Sequence, residues 1–127
     1  MIFGIGTDIV RVDRIAAAHE RFGRHFVERL LMPEELARFD MTRQAARFLA
    51  MHFAAKEAIV KALGTGFRHG IWIRDAGFLP NAWGRPEVIF SARGRAVADR
   101  LGAGEGHVSL SDESGLVVAV AVLMTKP

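Results

Sequence analysis

Residues 42–63 read TRQAARFLAMHFAAKEAIVKAL, and the fold follows from this stretch. Alanine, leucine, phenylalanine and methionine fill it, glycine and proline are absent, and Gly64 comes directly after, so the spacing predicts one long helix over Thr42–Leu63. Leu49, Phe53 and Val60 fall on one line of that helix, and Phe48, Ala55, Ile59 and Leu63 on another, so apolar residues occupy most of its circumference. Such a helix is expected to be largely buried, and charges inside it need an explanation. Glu57 falls on the stripe of Leu49, Phe53, Val60 and Gly64, where the pattern predicts a leucine. Lys61 follows one turn later, in the order that favours an ion pair, and a plain salt bridge is the simplest account of the two.

Working outward, Phe3–Val10 reads as a short apolar strand carrying Thr7 and Asp8 near its end. Asp13 can cap a helix bearing Ile15, Ala16, Phe22 and Phe26, which Gly23 interrupts. Pro33, with Glu34 and Glu35 behind it, has the chemistry of a helix start near a positive dipole end. Downstream, Ile71–Phe78 and Pro86–Phe90 read as strands and Ala92–Leu101 as a short helix. His107–Ser111 alternates, Asp112–Gly115 makes a turn, and Leu116–Met124 is continuously apolar, as expected of a strand buried on both faces. The class predicted is α+β, a mostly antiparallel sheet packed against a long buried helix.

At 127 residues, half of them apolar, the chain fits a single domain over residues 1–127. No cysteine is present, which excludes a disulfide framework or thiolate-bound zinc and agrees with a reducing, cytoplasmic setting. Met1–Val10 has no basic leader or cleavage site, and Leu116–Met124 is far short of the roughly 18 residues of a membrane span. No membrane partner is therefore expected. The net charge of +3 rests on arginine, with lysine only at Lys56, Lys61 and Lys126, and arginine's planar fork suits phosphates and carboxylates.

Asp8 strengthens the chemical reading of Glu57, because a lone carboxylate on an apolar strand is unfavourable unless paired or metal-bound. If the fold brings Asp8 and Glu57 together, two carboxylates with few other ligands suit magnesium, which keeps waters and takes phosphate oxygens, and Lys61 would face the same phosphates. Gly64, Thr65 and Gly66 can bring backbone amides close to a ligand, although Gly64 alone reads more simply as a helix cap. There is no GxxxxGK[ST] loop, no GxGxxG after a strand and no zinc spacing among the histidines. Arg14, Arg21 and Arg24, preceded by Arg11, form a basic face that is either solvated or a docking surface for an acidic helix. Nucleic acid is disfavoured there because lysines and interleaved aromatics are missing.

The segments GIGTDIV, RFLAMHFAAKEAIVKALGTG, GRPEV and HVSLSD occur in order over nearly the whole chain, and they resemble the holo-acyl-carrier-protein synthase type of phosphopantetheinyl transferase. FAAKEAIVKALGTG is the most specific of them. The resemblance implies an α+β transferase that moves the 4'-phosphopantetheine arm of coenzyme A to a serine of apo-acyl carrier protein, in support of fatty acid biosynthesis. It implies that Asp8 and Glu57 hold Mg2+, that Lys61 contacts a phosphate, and that Pro86, His107, Ser109 and the Gly64–Thr65–Gly66 turn line the coenzyme A site. Arg14, Arg21 and Arg24 would dock the carrier protein. The family forms homotrimers with sites between subunits, so His107 and Ser109 can serve a neighbour's Asp8 and Glu57. His52 stands where many relatives carry an arginine for the 3'-phosphate, so that contact falls to His52 or to another arginine such as Arg47. The proton of the serine goes to a water activated by the metal or to a carboxylate such as Glu57 or Glu35. The competing class is a basic α+β module that binds protein or RNA without chemistry.

Overall fold

In the computed structural model, which describes all 127 residues, the long helix runs over Ala45–Leu63. It begins three residues later than the composition suggests, because the Thr42 hydroxyl accepts the Gln44 amide at 3.2 Å and holds a turn there. In chain order the elements are β1 (Ile2–Arg11), α1 (Val12–Phe22), α2 (Arg24–Leu30), α3 (Pro33–Phe39), α4 (Ala45–Leu63), β2 (Ala76–Pro80), β3 (Pro86–Phe90), α5 (Ala92–Leu101), β4 (Ala103–Glu113) and β5 (Leu116–Thr125). The five strands form one sheet in the order β1-β5-β4-β3-β2, with every pairing antiparallel. This is the α+β architecture expected from the sequence, and no helix is long and apolar enough to cross a membrane.

α4 lies against one face of the sheet and supplies much of a core of 25 buried residues, among them Leu49, Ala54, Ala58, Ile59, Val117, Ala119, Ala121 and Leu123. Its approach to β1 is backbone to backbone. A Cβ added at Gly6 would overlap the carbonyl oxygen of Ala58, and one at Gly4 that of Ala62. The glycines of GIG are therefore required for packing, and they bring Asp8, two residues on, close to the helix.

Three local expectations are corrected. Ile71–Phe78 is not one strand: a 3-10 turn occupies Ile73–Asp75 before β2. There the buried Asp75 carboxylate accepts the Trp72 amide at 2.8 Å, the Ser91 hydroxyl at 2.7 Å and Arg93 Nε at 2.9 Å, a local alternative to the sheet ladder. Asp13 lies in the first turn of α1, and Arg11 occupies the cap position without a side-chain bond. β5 is buried on one face only: Val117, Ala119, Ala121 and Leu123 pack inward, while Leu116, Val118 and Val120 face outward beside exposed Ile5 and Ile9 of β1.

Candidate active site

Asp8 near the end of β1 meets α4 where Glu57 and Lys61 leave the helix. The Lys61 ammonium donates to the Thr7 carbonyl at 3.0 Å and to Asp8 Oδ1 at 3.3 Å. The Asp8 side chain is 15% exposed, whereas Lys61 is 51% exposed and leaves donor capacity toward solvent. Partial burial holds the Glu57 carboxyl above its ordinary range; the charge of Asp8 adds to this and Lys61 acts against it. Two carboxylates thus share a small space and repel each other, a strain that a cation between them would relieve. Their hard oxygen donors suit Mg2+, and no group of three or more acidic, histidine or cysteine side chains is arranged to hold a metal ion anywhere in the chain. An ion held by Asp8 and Glu57 would take its remaining ligands from water or phosphate.

Pro86, His107 and Ser109 also come together, in a cleft of about 520 Å³ whose walls include Met51, Phe78 and Arg85. His107 Nε2 lies 3.3 Å from Glu105. Asp8, Glu57 and Lys61 do not line this cleft, so a single chain presents the acidic pair and the cleft as separate features. Arg85 and Met51 carry no sequence signal of their own, since a single arginine in a loop and a methionine in a helix fit any surface or core.

The amides of the Gly64–Gly66 turn are committed within the fold. The Gly64, Thr65 and Gly66 N–H groups all point back to the Val60 carbonyl at 3.0–3.2 Å, and Gly64 adopts the left-handed conformation of a helix cap. The turn can adjoin a ligand, but it does not offer the open amide donors that the glycines suggested. Arg14 and Arg21 are exposed on α1, whereas Arg24 belongs to α2, beyond the break at Gly23, and its guanidinium is engaged by Asp40 and by Glu28 at 3.1 Å.

His52 takes a different place from the phosphate contact expected of it. It is 3% exposed and stacked between Phe48 and Phe78, with ring centroids 4.2 and 4.0 Å away, and its Nδ1 lies 2.7 Å from Glu35 Oε2. Burial lowers its pKa against the opposing pull of Glu35, and Nδ1–H is the donor because the carboxylate can only accept. Arg38, Arg43 and Arg47 line the hollow above this ring, and Arg47 is paired with Asp112 at 2.8 Å. Glu35, a candidate base from sequence, is fully buried: its carboxylate accepts from Met32 N–H at 2.9 Å, Phe78 N–H at 3.1 Å, His52 and Lys56 Nζ at 2.6 Å. It has no route to a substrate proton.

Lys56 is the residue that sequence reasoning missed. It is fully buried, and beyond Glu35 it donates to the Ala76 carbonyl at 2.7 Å. Glu57, placed on the buried stripe by pattern, is only half-buried. Beyond Leu49, the deep face of α4 runs through His52, Lys56, Ile59 and Leu63, one residue out of phase with Phe53, Glu57, Val60 and Gly64 of the stripe first drawn. The signal was present as two polar residues four apart, His52 and Lys56, but on a helix apolar nearly all round it could not be told from the alternative.

Fold and site define an antiparallel α+β protein with a carboxylate pair, Asp8 and Glu57, beside a lysine at a strand–helix junction. A family model described as the 4'-phosphopantetheinyl transferase superfamily matches residues 4–121, and the chain belongs to that family. It is 49% identical to the holo-[acyl-carrier-protein] synthase of Halorhodospira halophila, covering 98% of this chain and 99% of that protein. The crystal structure of the Neisseria meningitidis holo-[acyl-carrier-protein] synthase superposes with a TM-score of 0.93 at 39% identity, over 98% of this chain and 100% of that one. The Helicobacter pylori synthase, solved in complex with coenzyme A, gives a TM-score of 0.82 at 29% identity, over 94% and 98%.

Proposed function

We propose that this chain, as one transferase domain, moves the 4'-phosphopantetheine arm of coenzyme A onto a serine of apo-acyl carrier protein. The observation that carries this is the Asp8–Glu57 pair beside Lys61, in a chain related over nearly its full length to holo-acyl-carrier-protein synthases. The serine oxygen attacks the β-phosphorus of coenzyme A. A new O–P bond forms as the serine hydroxyl gives its proton to water or to the Glu57 carboxylate, the bond to the bridging oxygen breaks, and adenosine 3',5'-bisphosphate leaves with the electron pair.

Asp8 and Glu57 would hold Mg2+, which supplies charge neutralisation at the pyrophosphate oxygens. Lys61, anchored on Thr7 and Asp8 with its remaining donor capacity turned to solvent, adds positive charge on the same side. Neither Glu35 nor His52 takes part in proton transfer on this reading, because both are enclosed.

The cleft of Pro86, His107 and Ser109 takes the nucleotide half of coenzyme A. Because the acidic pair lies outside it, a complete site joins the cleft of one copy to the Asp8 and Glu57 of another. The outward apolar side chains Ile5, Ile9, Leu116, Val118 and Val120 offer the surface for such a homotrimer. Exposed Arg14 and Arg21 dock the acidic carrier, the lack of cysteine suits the cytoplasm, and fatty acid biosynthesis is the setting.

The test is mass spectrometry of an apo-acyl carrier protein incubated with this protein, coenzyme A and Mg2+. A gain of one phosphopantetheine that disappears with chelator and with Asp8→Ala is the expected result. No gain across fatty-acid and polyketide carriers would sink the reading.

A further inference from the structure

α4 is apolar over so much of its surface that its hydrophobic pattern alone does not choose its rotation about its own axis. Turned by one residue, about 100°, it would still present apolar residues to the sheet, but Glu57 would point inward and Lys56 outward. The close approach of Gly4 and Gly6 to Ala62 and Ala58 resists the turn at β1, and at the other side of the helix the Glu35 carboxylate discriminates between these settings. From α3 it holds Lys56 at 2.6 Å and His52 at 2.7 Å on α4, and it accepts the Phe78 amide of β2 at 3.1 Å. Lys56 also donates to Ala76 of β2 at 2.7 Å, and a Cβ at Gly77 would overlap the Glu35 carboxylate, so the hub sits flat on that strand. Every buried polar side-chain atom has a partner in this setting. A slip would leave a buried carboxylate unpaired, a severe penalty.

We infer that Glu35, Lys56 and His52 are positioning residues that set the rotation of α4 and thereby aim Glu57 and Lys61 at Asp8. The inference rests on the metal-site reading of Asp8 and Glu57. Buried ion pairs are weak contributors to stability compared with well-packed neutral substitutes, so a role confined to stability would survive neutral replacement without functional loss.

The experiment compares wild type with the neutral pair Glu35→Gln/Lys56→Met. Binding of Mn2+ in the presence of coenzyme A is followed by electron paramagnetic resonance, alongside Tm, kcat, and KM for the carrier. The expected result is an unchanged or higher Tm, Mn2+ affinity and kcat each lower by about tenfold, and an unchanged carrier KM. Wild-type Mn2+ affinity and kcat in that variant would overturn the inference. Should the double variant fail to fold, His52→Phe keeps the aromatic stack and the Glu35–Lys56 pair. It is expected to weaken Mn2+ binding to a lesser degree, and wild-type binding there overturns the idea equally. Glu57→Gln run in parallel separates the two levels: if it binds Mn2+ as wild type does, the metal assignment fails and the positioning role with it.

Discussion

α4 carries two lysine–carboxylate groups five residues apart along one helix, and they behave in opposite ways. Lys56 and Glu35 are fully enclosed; Lys56 bonds to Glu35 of α3 and Ala76 of β2, and Glu35 accepts from Met32 at the start of α3, from His52 and Lys56 of α4 and from Phe78 of β2. Burial by itself would raise the Glu35 pKa, but the His52 hydrogen bond and the Lys56 charge overcome it and hold the carboxyl below its ordinary value. Glu57, beside Asp8 and Lys61, is held above its ordinary value and lacks a full set of partners. Saturated charges make the first group a fastener, whereas mutual repulsion between Asp8 and Glu57 suits the second to the cation proposed for it. The same residue types, five residues apart, are thus sorted by how completely the fold satisfies them.

The largest effect that would sharpen this contrast is on stability, in the enclosed group. Glu35→Gln leaves Lys56 buried without a counter-charge and should lower unfolding free energy by about 3–5 kcal/mol, read by urea titration at pH 7. The pKa of Glu35 is depressed on folding, so its contribution is present above the ordinary value of 4.5 and lost as pH falls through the folded value. The gap between wild type and variant should therefore narrow in acid. A gap that widens in acid would break the assignment.

Glu57→Gln should do the reverse, lowering transfer activity by about a hundredfold while leaving Tm in metal-free buffer equal or higher. Because the Glu57 pKa is raised on folding, its ionisation weakens the fold as pH climbs above 4.5. Any gain in Tm should then be seen at pH 7 and vanish near pH 4. A variant that loses both activity and stability at pH 7 would mean that Glu57 is a fastener too.

Gly6→Ala probes the opposite side of the helix, where β1 and α4 touch through their backbones. The added methyl must push the Ala58 carbonyl away, at a cost of about 1–3 kcal/mol, and should reduce activity as Asp8 shifts from Glu57. Thermal melts and transfer rates measured together would show whether the two losses track each other. Arg24→Ala is the smallest: its ion pairs with Glu28 and Asp40 are solvent-exposed, so Tm should not move measurably. Carrier KM should change less than in Arg14→Ala or Arg21→Ala.

Much of this molecule can be read in the linear chain. The bounds of α5 and β3, the cap at Gly64 and the break at Gly23 all follow from local propensity, turn chemistry and spacing. The one-sided burial of β5 was not readable, because an apolar strand looks the same whether its outer face is covered by its own chain or left open. The amides of Gly64–Gly66 could not be counted as spent until the turn showed them folded back on Val60.

The amino-acid sequence by itself determined the α+β class, the long central helix and the set of charged residues from which a site could be made, since these depend on local periodicity and on residue chemistry. Tertiary structure alone decided which charges on α4 are enclosed and which are open. A helix apolar around most of its circumference is not oriented by its hydrophobic pattern, and contacts formed across elements distant in the chain orient it: the bonds of Glu35 to Lys56 and His52, and the close approach of Gly4 and Gly6 to Ala62 and Ala58.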